Sequence, residues 1–249
     1  MASQSFTFRQ FAVHQDRCAM KVGTDGVLLG AWANVKGDIL DIGTGTGLIA
    51  LMTAQRSPSS KVTAIEIDRD AAVQATDNVA SSPFADRISV VQSSIQDYRP
   101  AMTFHTIVSN PPFFESSLKN PDPSRATARH TDSLSYRELF QAVARLLADE
   151  GEFSAVIPSD CLSPFIAEAY LSGLRPTRQT AVRTTPRKQP KRYLVAFSRQ
   201  ATVSMERSEQ CLQDTDGSRS EWYDKLTSEF YIKSKHRGKY VKNSKSTIR

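Results

Sequence analysis

The stretch Ile39-Leu40-Asp41-Ile42-Gly43-Thr44-Gly45-Thr46-Gly47-Leu48-Ile49-Ala50-Leu51-Met52 decides the fold. A short apolar run closes on glycines at alternate positions, and an apolar pattern of helical length follows at once. That order predicts a buried strand, a tight turn and a helix start. Glycine lets the turn pass through positive φ and lets a ligand approach the backbone, because no Cβ intervenes. The first N–H groups of the helix point at whatever sits on the turn. Strand, turn and helix together form a cradle of the nucleotide-binding kind.

The spacing narrows the ligand. The dinucleotide pattern G-x-G-x-x-G needs its third glycine at position 48, where this chain has Leu48. Here the glycines alternate, and Asp41 stands two residues ahead of Gly43. A carboxylate repels a pyrophosphate and attracts an ammonium or sulfonium, so the charge favours S-adenosylmethionine over NAD. Asp41, Gly43, Gly45 and Gly47 are therefore candidate cofactor residues. The run KVTAIEID at 61–68 reads as the next strand, and Glu66 lies 19 residues past Gly47. That is close to the spacing at which an acid reaches ribose hydroxyls in βαβ sites. Asp68 reads as the cap of the following helix, from about Arg69 to Ala80.

The chain of 249 residues can bury one sizeable core with appendages, and its 39% hydrophobic and 23% charged residues are ordinary for a globular protein. No apolar run is long enough to span a membrane, and no signal-peptide pattern opens the sequence, so a cytoplasmic protein without membrane attachment is expected. Cys18, Cys161 and Cys211 are too scattered for a disulfide framework or a metal site, and no metal is expected. Seven of the 32 basic residues lie beyond Tyr231 with no acid among them, leaving 25 against 26 acidic residues elsewhere. A basic tail on a neutral body suggests a polyanionic partner. No obligate protein partner is implied.

Ahead of the glycine strand, 6–11 alternates like a hairpin arm, and Thr24 or Asp25 can cap a helix whose apolar residues begin at Val27. That helix is placed to close over the cofactor, with Lys21 able to meet a cofactor carboxylate and Thr24 beside it. RISVVQ at 87–92 is a third strand. Ser94 then stands where an acceptor for an adenine amine is expected, with Asp97 as the alternative. Residues 103–109 form a fourth strand that delivers Asn110-Pro111-Pro112-Phe113. Two prolines hold the backbone extended and rigid. The Asn110 side-chain oxygen and the Pro111 carbonyl can accept the two protons of an exocyclic amine, and Phe113 can stack on an extruded base. Asn110, Pro111, Pro112 and Phe113 are the catalytic candidates.

The loop at 114–133 carries Arg129 and His130, candidates for holding phosphate. Beyond it come an amphipathic helix at 136–147, a strand at 151–157, a helix to Leu171 with Asp160 as its cap, and two strands at 174–185 and 192–199. The turn joining the last two holds Arg187, Lys188, Lys191 and Arg192, candidates for binding RNA. The cluster Trp222, Tyr223, Leu226, Phe230, Tyr231 and Ile232 has helical spacing. The expected organisation is one domain: an extension at 1–36, the core at 37–200, and a helix and tail at 201–249.

The ordered set DIGTGTG, AIEID and NPPF resembles the Rossmann-like, class I S-adenosylmethionine-dependent methyltransferases that modify exocyclic or amide nitrogens. FTFRQFAVHQDRCAMKVGTDGVLLGAW near the start, ARH at 128–130 and SEFYIK at 228–233 narrow the resemblance to the bacterial tRNA1(Val) adenine-N6 methyltransferase family. The resemblance implies an α/β fold with a seven-stranded, mostly parallel sheet and helices on both faces. It also implies methylation of the adenosine at tRNA position 37 and a basic tRNA surface around the NPPF pocket. A departure is Ser93-Ser94, where the family has Gly-Asp. Two other readings share parts of the pattern: a protein glutamine or ribosomal RNA amino-methyltransferase, and a non-catalytic RNA-binding protein on the same fold.

Overall fold

A computed structural model describes residues 4–18, 20–112, 134–200 and 204–232. Phe113, Arg129, His130 and the basic tail from Lys233 onward lie outside these residues.

The glycine stretch folds as its pattern predicts. Ile39–Ile42 is a fully buried strand (β3), preceded by a short hairpin of β1 (Ser5–Thr7) and β2 (Ala12–His14) and by helix α1 (Thr24–Trp32). The turn hands over to α2 (Leu48–Arg56), and the alternation continues through β4 (Val62–Glu66), α3 (Arg69–Ala80), β5 (Ile88–Gln92) and β6 (Phe104–Ser109). Then follow α4 (Tyr136–Leu146), β7 (Leu147–Pro158), α5 (Leu162–Leu171), β8 (Arg175–Arg183), β9 (Arg192–Ser198), β10 (Glu206–Cys211) and α6 (Glu221–Thr227).

The main sheet has the order β10-β8-β9-β7-β6-β3-β4-β5. All neighbours pair in parallel except at β9, which runs against both β7 and β8. The order reverses direction at β3, where β4 lies to one side and β6 to the other, and ligands in such sheets sit at the carboxyl ends of the strands on either side of that point. The expected seven strands are all present, and β10 adds an eighth at the edge. Its sequence, ERSEQC, is half charged and its first four residues are exposed, so no apolar alternation marks it as a strand.

Helices cover both faces. Leu139, Phe140, Val143 and Leu146 of α4 pack with Phe165 of α5 on Phe104, Ile107, Phe153 and Phe197 of the sheet. The other face holds α2 and α3 against Ile39, Val62 and Ala64, and α1 and α6 against Val108, Val156 and Leu194. Helix α1 lies so close to α2 that a Cβ at Gly30 would stand 2.8 Å from the Met52 sulfur. The two ends of the described chain meet on this face. The Arg9 amide donates to the Phe230 carbonyl at 2.8 Å, its guanidinium donates to the Ser228 carbonyl at 3.0 Å, and the Phe6 and Phe8 rings pack on Tyr231.

Two caps differ from expectation. Helix α1 is capped by Gly23 without a side-chain hydrogen bond; Asp25, one residue inside the helix, is drawn instead into an ion pair with Arg192. Asp160 lies in a 3-10 turn, Ser159–Cys161, that leads into α5, and it caps no α-helix. Asp68 does cap α3, accepting from the Ala71 amide at 2.8 Å.

Candidate active site

A cavity of about 790 Å³ opens at the carboxyl ends of β3, β4, β5 and β6. The turn after β3 forms its floor. Gly43 and Gly45 adopt φ of 70° and 55°, and a Cβ on either would meet no atom of the described residues within 4 Å. Both glycines therefore turn a bare backbone edge into open space, the condition for close approach by a ligand. Gly47, with φ of 82°, caps α2 and faces Ala75 of α3 rather than the cavity.

Asp41 departs from the part expected of it. It has no exposed surface and does not line the cavity. One carboxylate oxygen accepts from the Thr44 hydroxyl at 2.6 Å and the Ala50 amide at 3.1 Å, and the other is buried without a hydrogen-bond partner among the described residues. Burial pushes its pKa up to about 7, against the pull of those two bonds and with a further push from Glu66. Its side chain ties the turn to the first turn of α2 from beneath.

Glu66 does line the cavity. It accepts from the Gly45 amide at 2.8 Å through one oxygen and from the Ile67 and Asp68 amides at 2.9 and 3.0 Å through the other. Three of about four acceptor positions are filled, leaving one on the oxygen that faces the glycine turn. Ser94 stands on the same wall, donating to the Asp97 carboxylate at 2.6 Å. Ile67, 59% exposed, offers an apolar surface there. The nearby Cys18 thiol is raised to about 11, first by burial and then by Glu66 and Asp68, so it stays protonated.

Opposite, β6 delivers Asn110, Pro111 and Pro112 to the cavity. With its amide nitrogen turned to the Met20 sulfur at 3.7 Å, the Asn110 oxygen is buried and has no hydrogen-bond partner among the described residues. Ser109 fixes the strand end by donating to the Ile42 carbonyl at 2.9 Å. Lys21 and Thr24 line the mouth, as do Asp25 and Arg192, whose charged groups meet at 2.5 Å. Burial raises the Asp25 pKa, and the Arg192 charge works against that rise. In the turn between β8 and β9, Arg187, Lys188 and Lys191 are exposed; they do not line the cavity, which Arg192 at the start of β9 does.

Sequence reading did not single out Met20, Ile67 or the pairing of Asp25. Asp25 and Arg192 are 167 positions apart, and no local pattern links them.

Residues 20–180 match the methyltransferase small domain family. The tRNA1(Val) (adenine(37)-N6)-methyltransferase of Bacteroides thetaiotaomicron is 49% identical over 241 residues, covering 93% of this chain and 99% of that protein. Its namesake from Aeromonas hydrophila is 45% identical over 234 residues, covering 93% and 98%. A predicted O-methyltransferase structure from Agrobacterium tumefaciens superposes with a TM-score of 0.64 at 20% identity, over 83% of this chain and 96% of its own. The glycopeptide N-methyltransferase MtfA complexed with S-adenosyl-L-methionine gives 0.53 at 16% identity, over 73% and 90%. These two likenesses show a class I methyltransferase fold. Fold, glycine turn, NPPF segment and near-full-length identity lead to one conclusion: the chain belongs to the tRNA1(Val) (adenine(37)-N6)-methyltransferase family.

Proposed function

We propose that this protein methylates the exocyclic N6 amine of adenosine 37 in tRNA1(Val), with S-adenosylmethionine as methyl donor. The observation that carries the reading is the Asn110 side-chain oxygen, buried at the cavity wall with no hydrogen-bond partner among the described residues. An unmet buried acceptor costs about 1–3 kcal/mol, which a substrate N–H offsets on binding.

When bound, the cofactor supplies an electrophilic methyl group on a sulfonium. The bare edges of Gly43 and Gly45 fit close contact with such a ligand, and the open acceptor position on Glu66 fits a ribose hydroxyl. Lys21 and Thr24 stand where its amino-acid end can be met, and Ser94 where its adenine can. Asp41 supports the turn from below. Across the cavity, Asn110 and the Pro111 carbonyl hold the two amine protons, which leaves the nitrogen lone pair free to attack. The rigid Pro111-Pro112 step keeps both acceptors in register. Phe113 supplies the stacking face for the extruded base. The amine proton leaves to water after transfer. Aligned reactants of this kind account for roughly 7–11 kcal/mol of a barrier. Arg187, Lys188, Lys191 and Arg192, with Arg129 and His130, hold the tRNA backbone. Among the described residues no helix is long and apolar enough to cross a membrane, and the reaction is assigned to the cytoplasm, where tRNA is processed.

The test is methyl transfer to unmodified tRNA1(Val), with digested nucleosides identified by mass spectrometry. N6-methyladenosine should form, and Asn110→Ala should lower turnover roughly 10²–10³-fold, the scale seen when one preorganised hydrogen-bonding group is removed. Cofactor affinity by calorimetry should change little. Equal losses of cofactor binding and turnover would remove Asn110 from its assigned role.

A further inference from the structure

The sheet divides the cavity in two. Gly43, Gly45, Glu66 and Ser94 stand over β3, β4 and β5, whereas Asn110 leaves β6 and Arg192 opens β9. Because β9 is antiparallel, its first residue lies opposite Pro158, the last residue of β7, at the end of the sheet where the parallel strands finish. Arg192 is therefore on the far side of Asn110 from the glycine turn, in the half left for the methyl acceptor.

Its guanidinium is held. Asp25, in the first turn of α1, pairs with it at 2.5 Å, and the two side chains are only 31% and 19% exposed. Gly23, Thr24 and Gly26 line the cavity around the same turn. A guanidinium presents five N–H donors in a rigid planar fork; Asp25 meets it as a close ion pair without an aligned hydrogen bond, so the contact restrains where the fork sits and with it the direction of the remaining donors. Phosphate recognition by Arg depends on that direction, because the strong geometry is the two-bond one.

We propose that Asp25 is a positioning residue for RNA: it holds one edge of the Arg192 guanidinium so that the free edge meets the backbone phosphate of the extruded nucleotide. The proposal rests on the reading of the acceptor as a tRNA nucleotide. It carries a sign that simple charge counting would reverse. Removing the Asp25 charge makes the mouth more positive, so electrostatics alone would tighten RNA binding, whereas loss of positioning weakens productive binding.

The experiment uses the full chain and tRNA1(Val) transcript, comparing wild type with Asp25→Asn, Arg192→Ala and the double variant. Each single variant is expected to lower kcat/KM for tRNA by roughly tenfold or more, the range of a hydrogen bond to a charged group. The double variant should be no worse than Arg192→Ala alone, and cofactor affinity by calorimetry should fall far less than kcat/KM for tRNA, since Arg192 stands in the acceptor half. The slope of log binding constant against log salt should fall by about 0.7–0.9 in Arg192→Ala and stay unchanged in Asp25→Asn. Should Asp25→Asn unfold, Arg192→Lys keeps the charge and loses the fork. It should retain the salt slope while losing roughly tenfold in kcat/KM. Additive losses, an unchanged slope in Arg192→Ala, wild-type turnover in Arg192→Lys, or tighter and equally productive binding in Asp25→Asn would each overturn the proposal. Absence of N6-methyladenosine from the wild-type reaction is a separate result, read before any variant, and would overturn the acceptor assignment and this proposal with it.

Discussion

Asp41 shows how one side chain can shape a site without entering it. Its carboxyl is raised to about 7 by burial, above the ordinary carboxylate range, so the folded protein holds a proton there that the unfolded chain gives up. Stability from this group is fully present below the unfolded pKa, near 4, and is lost as pH rises through about 7. Asp41→Asn keeps an acceptor for Thr44 and Ala50 and removes the titration. The wild-type melting temperature should therefore fall between about pH 5 and pH 8 relative to that of Asp41→Asn, for a difference of at most roughly 4 kcal/mol. Thermal unfolding of both proteins across that range checks this, and parallel curves would count against the buried charge. The sequence placed Asp41 beside the glycines correctly, and its acidity suggested contact with a cationic ligand. Which face of a fully buried strand a side chain takes depends on the layer above it, here α2, and that lies beyond local spacing.

Among the elements, the turn between β8 and β9 is the one to which RNA contacts are proposed. Arg187, Lys188 and Lys191 are exposed on it, and Arg192 begins the strand that follows. Replacing Lys188 and Lys191 by Glu should weaken tRNA binding several-fold at moderate salt and flatten its salt dependence, because about two phosphate contacts are lost. Filter binding over a salt series measures it. An enzyme acting on a protein amide would show no such change. Elements with strong periodicity were legible: α3 spans the residues its alanine face predicts, and α4, which opens on a Ser135–Glu138 capping box, follows its amphipathic pattern. Elements set by tertiary partners were not. The cap of α1 yields to Gly23 once Asp25 is committed to Arg192, and β10 owes its existence to the exposed edge of β8.

At the scale of the whole molecule, cofactor binding should stabilise the fold, since the cradle forms only when β3, α2 and β4 are assembled. S-adenosylmethionine at about 100 times its dissociation constant should add about 2.7 kcal/mol. For a chain of this size that is a rise in melting temperature of roughly 5–10 °C. Differential scanning calorimetry with and without the cofactor tests it, and no shift would argue against the cavity as its site.

The junction of Arg9 with Ser228 and Phe230 has a consequence for the order of assembly. Phe8, Phe11 and Phe230 belong to one buried cluster on the face of α2, so residues from opposite ends of the chain complete the same packing layer. A nascent polypeptide can pair β1 with β2 as soon as they are made, because that contact is local. It cannot seal the layer until residue 230 has been translated. For most of synthesis the aromatic arm waits with its partner surface unmade, and this long-range closure has to follow translation of the segment after α6.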